Sequence, residues 1–246
     1  MKKIAVLFST AALLGWMIVT FAAGRLSGQG QAAGTLTPAQ VEKVHSRLFH
    51  KGAAGQIPDM ISRTSGDVHI PCVVPVVQRV ALPPLGELAT LACDSDLVVL
   101  GKTGTRHGSH MTADKDFLYT DWDFVVEEVL KDNPKAPVHA GTAILITRPG
   151  GALQVNGRMV YAICSDLSDF VTSREYLLYL RFVPETGAYA VETGWRGFGF
   201  SGEKTLGLGA SPHYPELGAS GKGTLLKTAR DGVAVMVKSP CLQGRP

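Results

Sequence analysis

The chain has 246 residues, 45% of them apolar and 18% charged, enough for a sizeable core and too apolar for global disorder. Removing Lys2 and Lys3 from the 24 basic residues leaves 22 against 21 acidic ones, a net charge of +1 for the rest of the chain. A balance this even offers no electrostatic footprint for nucleic acid.

The N-terminal segment reads as a targeting signal. Lys2 and Lys3 precede an uncharged run from Ile4 to Gly24 that closes on the small residues Ala22-Ala23-Gly24. This is the layout of a secretory signal peptide over residues 1–24. About 20 apolar residues also suffice to cross a bilayer as a helix, so an uncleaved anchor over residues 4–24 is the alternative. In both cases the lysines stay inside and the remainder lies outside the cytoplasm, secreted or periplasmic. Any membrane contact then runs through this segment.

All four cysteines, Cys72, Cys93, Cys164 and Cys241, fall in the exported part. An even count without a Cys-x-x-Cys pair predicts two disulfides in an oxidising compartment. Three pairings are possible. Cys93–Cys164 with Cys72–Cys241 is favoured, because the first pair flanks the strand block and the second ties both outer extensions.

Residues 25–84 divide into a Gly/Gln/Ala-rich linker, one short helix and an extended segment. Thr37 precedes Pro38, with Gln40 three residues after Thr37, a capping box with proline at the first helical position. Val41, Val44, Leu48 and Phe49 follow at helical spacing, so "TPAQVEKVHSRLFHK" predicts an amphipathic helix. His45 and His50 do not share a face of it and read as solvated polar residues. Prolines 71, 75, 83 and 84 confine "DVHIPCVVPVVQRVAL" to edge or irregular structure.

Residues 85–200 carry the expected β core. A short helix, "LGELATLAC", leads into "DLVVLGK", and "FLYTDWDFVVEEVL", "TAILITRP", "ALQVNGRMVYAI", "REYLLYLRFV" and "AYAVETG" follow as strands. Asn156-Gly157 and "PETG" (184–187) mark hairpins. Trp122, Phe124 and Val126 alternate with Asp121, Asp123 and Glu127, as on a sheet with one wet side. Short strands joined by hairpins, without alternating helices, predict a mainly β, antiparallel OB-like barrel, with a β-sandwich as the alternative. Residues 201–246 read as a Gly-rich loop to 232, a final strand "GVAVMVK" and Cys241.

The stretch "SDLVVLGKTGTRHGSH" superficially suggests a phosphate loop. The first glycine of that motif would fall on Asp96, and no helix pattern follows Thr103 to face a phosphate. Gly101-Lys102-Thr103 reads instead as the end of a strand. His107 and His110 remain as a metal candidate, with Asp114 or Asp116 as a third ligand of a catalytic zinc. No cofactor is otherwise implied. "GFSGE" and "GASGK" lack the last glycine of a nucleophile elbow. Glu127 and Glu128 are neighbours on a strand and point to opposite faces. Tyr119, Trp122, Tyr176, Tyr179 and Trp195 read as core aromatics before they read as a ligand face.

The run "DSDLVVLGKTG", "FLYTDWDFVVEEVLK", "GTAILITRPGG", "LQVNGR" and "EYLLYLRFVPETGAYAV" resembles a group of secreted, largely uncharacterised bacterial β-barrel proteins over roughly residues 85–195. More distantly the layout is similar to the OB-fold barrel of netrin-like modules and metalloproteinase inhibitors. Those inhibitors act through a cysteine at the mature N-terminus, which has no counterpart here. The resemblance therefore implies a barrel and carries no active-site residue with it. The function expected is non-catalytic binding of a protein or envelope ligand outside the cytoplasm, through the 103–116 and 201–232 loops. The competing expectation is a metal-dependent hydrolase using His107 and His110.

Overall fold

A computed structural model describes residues 36–49, 56–72, 82–164, 167–193, 196–208, 217, 219–238 and 241. The expected signal or anchor, the linker to residue 35, His50 and Trp195 lie outside the described residues. All described residues belong to one unit, Ala33–Pro246. No described helix is long and apolar enough to cross a membrane.

The capping box forms as predicted: the Thr37 amide donates to Gln40 Oε1 at 2.7 Å and the Gln40 amide to Thr37 Oγ1 at 3.4 Å. It starts α1 (Pro38–Phe49). A second helix, α2 (Ile57–Arg63), has proline in its first turn and was not legible as a helix amid the glycines around it. Arg158 donates to the carbonyls of Ile61 and Thr64 at its C-terminal end. The edge segment yields β1 (Val68–Pro71), and α3 (Pro84–Cys93) stands where "LGELATLAC" placed it.

Eight of the remaining strands are β2 (Leu97–Met111), β3 (Leu118–Lys131), β4 (Ala143–Pro149), β5 (Gly151–Val155), β6 (Arg158–Ile163), β7 (Glu175–Val183), β8 (Ala188–Ala190) and β9 (Gly197–Ser201). With β1 and with β10 (Lys204–Gly207) they make two sheets. The larger runs β10-β9-β7-β2-β3-β4-β8, and β8 pairs back onto β7, so the sheet closes partly into a ring. The smaller runs β1-β6-β5, with β1 parallel to β6. The mainly β, barrel-like expectation therefore holds, with the ring only partly closed. Asn156 (φ 51°) and Gly157 (φ 79°) turn β5 into β6 with both residues left-handed, as a type I′ hairpin demands.

The apolar runs of β2 and β7 are continuous because both faces of these strands are covered. Leu97 and Val99 point into the ring, and Val98 and Leu100 point outward beneath α3. Tyr176, Leu178 and Leu180 alternate with Leu177 and Tyr179 in the same way. In β9 the alternation is glycine with phenylalanine. Phe198 and Phe200 enter the outer core, and Tyr176 and Leu178 occupy the space beside Gly199 and Gly197.

The tail corrects the prediction most. "GVAVMVK" is no strand: it ends helix α4 (Lys222–Lys238). The β-branched run is a local strand signal, but Leu225, Leu226, Ala229 and Val233 recur at helical spacing and fill the outer core with α3. Gly232 lies against the backbone of Leu88 and Ala89, an approach that leaves little room for a side chain. The expected 201–232 loop accordingly contains β10 and most of α4, and residues 209–216 and 218 lie outside the described ones. The 103–116 loop is also overturned, since β2 continues through it to Met111. Gly101-Lys102-Thr103 sits in mid-strand, not at its end.

All four cysteines are oxidised, but in another pairing: Cys72–Cys164 and Cys93–Cys241, not Cys93–Cys164 and Cys72–Cys241. The reason is register. Pro71 lies opposite Ile163 in the parallel β1–β6 pair, which brings the next residue of each strand together. Cys93 ends α3, and the packing of α4 beside α3 carries Cys241 to it. Non-reducing peptide mapping should recover these two pairs. The Cys93–Cys241 bridge spans a sequence separation of 148, so Cys93→Ser should lower unfolding stability by about 2–5 kcal/mol in a denaturant titration.

Candidate functional site: a cleft between the two sheets

A cavity of about 270 Å³ opens where the small sheet meets the large one. One wall is β5 and β6, with Gly151, Ala152, Tyr161, Ala162 and Ile163. Cys164, Leu167 and Asp169 continue it beyond β6, and Arg106 of β2 completes the lining.

The wall is positioned by a close contact. Gly150 (φ 95°) and Gly151 (φ 138°) take conformations that favour glycine, and a Cβ on Gly151 would overlap the hydroxyls of Ser109 and Thr120. Those hydroxyls lie 2.9 Å apart. Ser109 Oγ accepts the Ala152 amide at 3.0 Å, and Thr120 donates to the Gly150 carbonyl at 2.7 Å. Three strands thus meet on two buried side chains. The "RPGG" run has its physical reason here. Arg148, 2% exposed, donates to the carbonyls of Leu167 and Ser168 at 2.9 Å each and pairs with Asp169 at 3.0 Å. It thereby fixes the segment that floors the cleft.

Arg106 sits between register shifts of β2 against β3, two residues before Gly108 with φ 94°. Bulges of this kind re-aim side chains at sites. Its guanidinium donates to Ser109 Oγ at 3.1 Å and lies 5.9 Å from the Trp122 ring centroid. Tyr161 stacks on His69 at 5.1 Å, and Ile163 is 56% exposed at the rim.

The predicted metal pair is placed on β2 but not joined. His107 Nε2 lies 2.7 Å from Asp123 Oδ1 in an exposed pair, whereas His110 stacks on Tyr119 at 5.3 Å. Asp116 accepts from Thr112 Oγ1. Among the described residues, no three His, Cys, Asp or Glu side chains converge as a metal group. Glu127 pairs with Lys102 of β2 and Glu128 with Arg230 of α4, at a register shift of β2 against β3 that leaves Glu127 without an opposite residue. Tyr119, Trp122, Tyr176 and Tyr179 are all buried, in line with the core reading.

His45 overturns its solvated reading: it is fully buried under α1. Its Nε2 is 3.3 Å from Thr186 Oγ1, and its ring meets Tyr119 edge-on. Nδ1 lies 3.9 Å from Asp121 Oδ1, beyond hydrogen-bond range, and neither atom has a partner among the described residues. Asp121, expected on the wet face, is 8% exposed because α1 covers that end of β3. Burial holds His45 below its ordinary value of 6.5; Asp121 opposes the shift and His110 adds to it. Burial also pushes the Tyr119 phenol up.

Two outcomes follow. Gly151→Ala should cost about 2–4 kcal/mol by urea unfolding, through overlap and strain together. Gly157→Ala, also left-handed but with open space around it, should cost only about 1–2 kcal/mol. The second outcome concerns pH. Unfolded His45 takes up its proton near pH 6.5, whereas the folded protein resists to lower pH, so the unfolded state binds more protons in between. This contribution to stability is fully present above pH 6.5 and is lost as the pH falls from there toward the folded value. Unfolding titrations from pH 7.5 to 5 should therefore show a decline that is shallower in His45→Gln.

No family model matches the chain, and no curated protein does.

Proposed function

We propose that the protein is an exported, non-catalytic binding module that takes its ligand in the cleft between the two sheets. The observation that carries this reading is the cleft itself. Its walls are fixed by the Ser109–Thr120–Gly151 contact, by Arg148 and by the Cys72–Cys164 bridge, so the cavity is pre-formed. Pre-formed concavities are the usual form of a ligand site, and this one sets the polar groups of Arg106, Tyr161 and Asp169 beside an apolar wall. Two disulfides fit an oxidising compartment, which agrees with removal of residues 1–24 as a signal peptide. The ring with its side cleft also fits the resemblance to secreted OB-like barrels, whose ligands lie against one sheet face and its loops.

The polar groups at the cleft suit binding. Ser109 Oγ is committed to the Ala152 amide, Thr120 and Arg106, and His107 and His110 engage other partners. The test uses exported protein whose N-terminus, by sequencing, begins near residue 25. A library of small fragments titrated into the ¹⁵N-labelled protein should shift amide signals of Gly151, Ala152, Ile163 and Leu167 together. Hits that leave these four unmoved while shifting another surface would overturn the cleft as the site.

A further inference from the structure

Resting on that reading, we infer the chemical class of the ligand: a compact apolar group bearing one carboxylate, with the carboxylate on Arg106 and the apolar body against Ala152, Ile163 and Leu167. Charge decides the first half. Arg106 is the guanidinium that lines the cleft, and Asp169, the carboxylate that lines it, is paired at 3.0 Å with Arg148, whose terminal nitrogens also donate to two backbone carbonyls. Arg106 has no carboxylate partner among the described residues. Its described contacts are a neutral hydroxyl and an indole face. An arginine held in this way presents the rest of its planar fork, a geometry that matches a carboxylate bidentately.

A phosphate dianion fits less well. It calls for a second cation or a nest of free amides, and the nearby amides are already used: Gly150 N–H donates to the Leu118 carbonyl and Ala152 N–H to Ser109. The walls decide the second half. Of the β5 and β6 residues lining the cleft, Gly151, Ala152, Ala162 and Ile163 are glycine or aliphatic and Tyr161 is aromatic, and Ile163 stays 56% exposed. Covering such a residue is a favourable use of apolar ligand surface. A cavity of about 270 Å³ falls just under the range of roughly 300–1,000 Å³ usual for drug-sized ligands, so the apolar body is of single-side-chain size.

The chemistry is shared by a free N-acylated amino acid and by the C-terminal residue of a peptide, and the experiment separates them. N-acetyl-leucine and N-acetyl-leucinamide are titrated into the full exported chain by calorimetry and by NMR, alongside a tetrapeptide ending in leucine with a free or an amidated terminus. The acid forms should bind at least about tenfold more tightly than the amides, with amide shifts at Ala152 and Ile163. Their advantage should shrink as salt rises, since Arg106 is exposed. Arg106→Gln should erase the preference of acid over amide, with the melting transition read alongside to confirm the fold, and Arg106→Lys should keep part of it. Tighter binding of the free-terminus peptide than of the acetylated amino acid assigns the site to a chain end, and the reverse assigns it to a small molecule. Acid and amide binding equally at the cleft would overturn the carboxylate class but keep the cleft as a site. Absence of binding by all four probes would overturn the ligand class, and with a negative fragment titration the cleft reading as well.

Discussion

The contact of Gly151 with Ser109 and Thr120 is the constraint on which the cleft depends. At that point the small sheet leaves the large one, and only a residue without a side chain lets β5 reach the paired ends of β2 and β3. The two hydroxyls then satisfy backbone groups that the departing strand would otherwise leave buried and unpaired. From this contact the chain runs through the β5–β6 hairpin to Cys164, whose bridge to Cys72 secures β1 on the far edge.

The large sheet is built around a different demand. Its central strands β2 and β7 are apolar on both faces, and a strand with two apolar faces needs two cores. The ring closed by β8 supplies the inner core, and α3 with α4 supplies the outer one. The helices are secured polar group by polar group. Lys131 donates to the carbonyls of Ala92 and Ser95 at the end of α3, and Arg230 grips Glu128 from α4 through two nitrogens. The Cys93–Cys241 bridge ties the end of α3 to the chain beyond α4.

The histidines are distributed by the same covering logic. α1 buries His45 and Asp121 at one end of β3, while Asp123 and His107 stay in water two residues further along the same strand face. One face of one strand therefore carries Asp121 beside a buried His45 that resists protonation, and an exposed Asp123–His107 pair that is screened and contributes little to stability.

Much of this was legible in the residues themselves. The capping box of α1, the Asn156-Gly157 hairpin, the helix before β2, the buried aromatics and the oxidation of all four cysteines each rest on local chemistry, which the sequence carries in full. What only the tertiary structure decided depends on partners far along the chain. The valines of "GVAVMVK" became helical because Leu225, Ala229 and Val233 pack on α3. The cysteine pairing followed from a parallel register between β1 and β6, two strands about ninety residues apart. His45 and Asp121 lost water because a helix begun near residue 38 lies over a strand begun at 118. The cleft has no signature in any single segment. Arg106, Gly151, Ile163 and Asp169 share it only through strand pairing and sheet closure, and those energies are set by packing between elements, to which local propensity is blind.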